Sequence, residues 1–143
     1  MGVIMKIIRA IFECIGRFCI AAVFVIAGVQ KIYGFEQTIG FMQAQGLQPM
    51  TELLAAGAIF VEIVIGLFFA FAYCKKWSAF ILLLYLIPVT YFFHDFWNAT
   101  DPAMREAQLM EFLKNLAIFG GLLCFISAPP AEKPKEKAKE SSK

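Results

Sequence analysis

Four apolar runs, each close to the length a helix needs to cross a bilayer, constrain this chain more than any motif it carries. They fall at roughly Ile11 to Lys31, Leu53 to Tyr73, Trp77 to Phe93 and Met110 to Ser127. About 20 mostly apolar residues span the hydrocarbon layer as a helix. Inside lipid every backbone N–H and C=O must find a partner within the protein, which only helices and closed barrels achieve. The runs show no alternation of period two, as barrel strands would. The sequence therefore predicts an all-α fold, a bundle of four transmembrane helices. Composition agrees: 60% of the 143 residues are hydrophobic and sixteen are phenylalanine. One small soluble core cannot hide that much apolar surface.

Charge placement sets an expected orientation. Lys6 and Arg9 precede the first run, Lys75 and Lys76 fill the loop between the second and third, and five lysines follow the fourth. Basic residues collect on the cytoplasmic side of membrane proteins. Both termini are expected in the cytoplasm, in a cell inner (plasma) membrane. A net charge of +2 gives no footprint for nucleic acid. Glu13 and Arg17 interrupt the first run and no A-x-A site follows it, so it does not read as a cleaved signal peptide.

Shorter segments add detail. In "FEQTIGFMQAQGL", Phe35, Ile39 and Met42 share one helical face ahead of Gly46. That pattern predicts a short interfacial helix on the outer side after the first span. "TDP" predicts a helix start with Asp101 as N-cap and Pro102 at the first helical position. Pro129 and Pro130 are expected to stop the last helix, leaving residues 1–128 as the membrane domain. Residues 129–143, "PPAEKPKEKAKESSK", read as a disordered, charged cytoplasmic tail.

The cysteines are Cys14, Cys19, Cys74 and Cys124. No pair has C-x-x-C spacing, and a step of five turns a helix by roughly 140°. They are read as small buried apolar side chains, and no metal site is expected.

Ionisable residues within a span are costly and mark functional candidates. Arg17, Glu62 and Lys114 are the foremost. Centring the first two runs on Ala21 and Ile63 brings Arg17 within reach of Glu62, an expected buried pair. Glu62 shares a face with Ala55, Ala58 and Gly66, small residues that allow close helix approach, and should point inward. Thr90, His94 and Trp97 align at helical spacing, as do Gln108, Glu111 and Asn115, with Lys114 beside them. Pro88 releases the carbonyl of Leu84 and is expected to kink the third helix. The polar stripes together suggest an outward-opening pocket lined by Arg17, Lys31, Glu62, His94, Trp97, Lys114 and Asn115. Each member also has a plainer role. Arg17 fits a local pair with Glu13, Lys114 one with Glu111, and Lys31 fits snorkelling to the headgroups. Asn115 fits an interhelical bond, Trp97 an interface belt, His94 an interfacial histidine and Glu62 a polar group used only in packing.

At "GRF…AGVQKI" (Gly16 to Ile32), "VE…G" (Val61, Glu62, Gly66), "FHDFW" (Phe93 to Trp97) and "QLMEFLKNLAIFGGLL" (Gln108 to Leu123), the chain resembles the DoxX family of small four-helix membrane proteins. The resemblance spans about residues 11 to 127 and implies a four-helix bundle in the bacterial inner membrane. Relatives include the small subunit of thiosulfate:quinone oxidoreductase. A quinone is thus the candidate cofactor, with redox proteins, the lipid bilayer and further copies of the chain as candidate partners. Whether the chain is an enzyme stays open. Two functions compete: a quinone-binding membrane subunit of a redox complex, and a non-enzymatic scaffold, assembly factor or transport-associated subunit.

Overall fold

The computed structural model describes residues 2–128, and all regular structure within them is helical. The expected stop at Pro129 and Pro130 and the tail of residues 129–143 lie outside the described residues. Helix α1 runs from Gly2 to Tyr33, α2 from Phe35 to Ala44, and α3 from Thr51 to Phe60. A π-helical turn, Val61–Ile65, joins α3 to α4, Gly66–Ala70. Then come α5, Lys75–Phe93, and α6, Pro102–Ser127. Counting Thr51–Ala70 as one span, four helices among the described residues are long and apolar enough to cross a membrane.

The four spans follow the four apolar runs, with ends moved by local chemistry. Helix α1 starts nine residues before the apolar run, because nothing in "GVIMKIIRA" breaks a helix. Asp101 accepts from the Met104 N–H at 2.8 Å with Pro102 at the helix start, as predicted. The second span closes at Ala70, and its turn to α5 passes through Ala72 and Cys74 at positive φ. Gly46, with φ +79°, ends the segment after α2 in the left-handed region that glycine enters without strain.

Neighbouring spans run antiparallel and close into a bundle. The second span packs on α1 and α5, α6 packs on α5, and Phe125 and Ile20 bring α6 back to α1. Phe24, Phe69, Leu82, Leu86 and Leu122 fill the centre. Hydrocarbon is as apolar as these side chains, so close van der Waals fit rather than water exclusion holds spans together. Two glycines make that fit possible. A Cβ on Gly28 would stand 2.6 Å from Ile63 Cγ1 and 3.1 Å from Glu62 Cβ, and one on Gly66 would stand 3.3 Å from Val25 Cγ2.

These contacts fix the register between α1 and the second span. Gly28 lies against Glu62 and Ile63, Phe24 and Ala21 against Gly66, and Arg17 against Ala70. Arg17 stands eleven residues from Gly28, about 16 Å along the helix. It cannot reach Glu62, and the expected Arg17–Glu62 pair does not form.

Helix α2 lies across the end of the bundle that carries Lys31. Its expected apolar face is present, and it turns toward the protein. Met42 is buried with Ala55 and Ala58 of α3, with Phe35 and Ile39 packed against them. Phe41 stacks on Phe93 of α5, ring centroids 5.5 Å apart. The cysteines depart from expectation. Cys19, Cys74 and Cys124 are exposed and Cys14 is half-buried. Cys19 and Cys124 sit on helix faces turned away from the core, and Cys74 lies in the turn before α5.

Candidate functional site

The Lys31 end of the bundle holds a cavity of about 730 Å³. Four elements wall it: the last turns of α1, the inward side of α2, the first half of the second span, and the last turns of α5. Apolar side chains such as Leu54, Val61, Val89 and Phe92 make most of the wall. Into it project Gln30, Lys31, Gln37, Thr38, Tyr85 and His94. Pro88, which cannot donate a backbone hydrogen bond, also lines it.

Behind this wall sits Glu62, 3% exposed. Its Oε1 accepts from Lys31 Nζ at 2.8 Å and from the Tyr85 hydroxyl at 2.7 Å. One oxygen therefore joins α1, the second span and α5. The other, Oε2, is buried and has no partner among the described residues. Lys31 is about a quarter exposed, with its ammonium between the buried carboxylate and the cavity.

Local sequence explains how Glu62 arrives there. It lies in the π-helical turn "VEIVI", where four of five residues are β-branched. β-Branched side chains crowd the preceding turn of an α-helix. A π turn admits one extra residue and recurs at functional sites in helices. Gly28 removes the side chain that would otherwise push α1 away, and Lys31 follows one turn later on the same face.

The candidate residues are thus sorted by the structure. Lys31, Glu62 and His94 come to one end of the bundle, Lys31 and His94 on the cavity wall and Glu62 behind it. The others go elsewhere. Arg17 pairs with Glu13 at 3.5 Å and donates from Nε to the Ala70 carbonyl at 3.4 Å. That carbonyl ends a helix, where a cation is favoured. Lys75 also pairs with Glu13, so this end of the bundle is tied from α1 to α5. Lys114 pairs with Glu111 on the exposed face of α6. Asn115 donates to Thr90 Oγ1 at 3.1 Å, bridging α6 and α5.

His94 and Trp97 do not share a helical face, because α5 ends at Phe93 and His94 has left helical geometry (φ −129°). His94 Nδ1 lies 3.3 Å from Gln108 Oε1 of α6. Trp97 packs instead among Tyr91, Phe96 and Phe112. Tyr85 is the residue that sequence reasoning passed over. A signal was present: a tyrosine amid "LLLYLIPV" sits far from either interface, and a buried hydroxyl needs a partner.

Four long apolar helices packed around such a site define an integral, multi-pass membrane protein. The chain belongs to the DoxX family, whose family model matches residues 12–95, more than half its length. The match includes the cavity walls and stops before α6. No curated protein matches the chain, and no solved structure does.

Proposed function

We propose that this protein is an inner-membrane subunit that binds a lipophilic molecule with a hydrogen-bonding head, a quinone in the first instance. Both termini lie in the cytoplasm in this reading, with residues 129–143 as a cytoplasmic tail and the cavity at the outer side. The observation that carries the reading is the cavity itself. Ligand pockets enclose roughly 300–1,000 Å³, mostly apolar with a few convergent polar groups, and this one has about 730 Å³ with Lys31 projecting from an apolar wall. An ammonium has three N–H donors. One can stay on Glu62 while another reaches a quinone carbonyl, with the ring and its tail against Val89 and Phe92. His94 and Gln37 offer polar partners for a second carbonyl.

The test is extraction and titration. Protein purified in mild detergent should release quinone into organic solvent. After reconstitution into nanodiscs it should bind a decyl-substituted benzoquinone, measured calorimetrically. Lys31→Met should weaken that binding by about tenfold or more, the loss of one charged hydrogen bond, while Lys114→Met should leave it unchanged. Wild-type protein that yields no quinone and no binding heat would sink the proposal. The polar contacts would then act only in packing, as in the scaffold reading.

A further inference from the structure

We infer that Glu62 is a proton-holding site coupled to the charge of whatever occupies the cavity. The inference rests on the occupancy reading above and adds what the site does with charge. Among the described residues lining the cavity, Lys31 is the one Lys, Arg, Asp or Glu. An occupant therefore meets a cation. The counter-charge, on Glu62, is buried behind it.

Two kinds of head group should then behave differently. A neutral carbonyl takes one N–H of Lys31 and leaves another on Glu62 Oε1. No charge is added, and no proton moves. A permanently anionic head, such as a sulfonate, competes with Glu62 for the same ammonium. Two anions then share one cation where water is scarce, and an unpaired buried charge is the most costly arrangement available. The relief is one proton from solvent onto Oε2, the oxygen with no partner. Oε1 continues to accept from Tyr85. An anionic occupant thus enters together with a proton, and the loaded site gains no net charge.

Few other groups face Glu62. Helix α1 supplies Lys31 and α5 supplies Tyr85. Within the second span, "GLFFA" of α4 has nothing titratable, and Glu52 of α3 stands ten residues away, about 15 Å. His94 also lines the cavity, with its Nδ1 beside Gln108 Oε1. The experiment must separate the two.

The full chain in nanodiscs is titrated at neutral pH with decanesulfonate and with the decyl-benzoquinone. Calorimetry is run in two buffers of different ionisation heat, so the slope of heat against ionisation heat counts protons. Sulfonate should take up about one proton per molecule bound and the quinone none. Glu62→Gln should abolish the sulfonate slope, and His94→Ala should keep it. The inference is overturned if wild-type protein binds sulfonate with no slope, or binds quinone and not sulfonate. It is equally overturned if the slope survives in Glu62→Gln or vanishes in His94→Ala. Absence of heat with both probes rejects the occupancy reading instead, and this inference falls with it.

Discussion

Removing the Lys31 ammonium should expose how much the buried carboxylate depends on it. At 2.8 Å the pair attracts by about 6 kcal/mol at an effective dielectric of 20. Desolvation offsets most of that gain, so the intact pair adds little net stability. Deleting one partner is different. The remaining charge keeps its desolvation cost and loses its attraction, which typically destabilises by about 3–5 kcal/mol. Lys31 is about a quarter exposed, and partial screening places Lys31→Met at the lower end, about 3 kcal/mol. Glu62→Gln removes the charge but keeps an oxygen for Tyr85, and should cost about 1–2 kcal/mol. The double variant has no buried charge to strand. It should be more stable than Lys31→Met alone by about 1–2 kcal/mol, a coupling that a double-mutant cycle isolates. Reversible unfolding in mixed detergent micelles, followed by circular dichroism, reads all four proteins. A Lys31→Met cost below about 0.5 kcal/mol, within the range of an ordinary surface substitution, would refute the reasoning. So would a double variant less stable than Lys31→Met.

Other expectations test the frame around the site. Gly28→Ala places a methyl 2.6 Å from Ile63 Cγ1 and should cost about 1–3 kcal/mol by overpacking, while Gly120→Ala, with open space at its Cβ, should be neutral or slightly stabilising; the same unfolding assay separates them. Glu13→Gln cuts the ties to Arg17 and Lys75 and should lower stability by about 1 kcal/mol, as for partly exposed pairs, with quinone titrations unchanged. Asp101→Ala removes the side chain that caps α6 and should cost about 1 kcal/mol, seen as faster amide exchange at residues 103–105. Asn115→Leu should cost about 0.6 kcal/mol, the average for a hydrogen bond between membrane helices.

The spans were legible because each apolar run is long, and lipid leaves a helix as the simplest way to satisfy its backbone. Register was not legible. Hydropathy locates the middle of an apolar run, whereas helices meet where side chains allow it. Gly28 and Gly66 are the residues that allow it here. They place Lys31, not Arg17, beside Glu62. The inward aim of Glu62 could be read from its small neighbours, yet the π-helical turn beneath it could not, since only a cluster of β-branched residues hints at it. His94 and Trp97 were aligned by assuming that α5 continues. The apolar run itself ends at Phe93, where α5 stops, but no glycine or proline directly after it marks the break.

The polar stripes are present on all four spans, but only Lys31, Glu62 and His94 among the candidates come together. Most other polar groups are spent pairwise between neighbours: Arg17 on the end of α4, Lys75 on Glu13, Asn115 on Thr90, His94 on Gln108. Each such contact closes on itself and explains a packing arrangement without remainder. Glu62 is the exception among the described residues, because one of its buried oxygens ends on nothing. Packing does not require that. The bonds from Lys31 and Tyr85 both end on Oε1 and leave Oε2 out of the packing. A carboxylate kept in such a place, at the edge of a cavity whose wall carries its counter-ion, needs a reason beyond holding helices in register. Gaining and losing a proton is the property that a carboxylate has and an amide lacks.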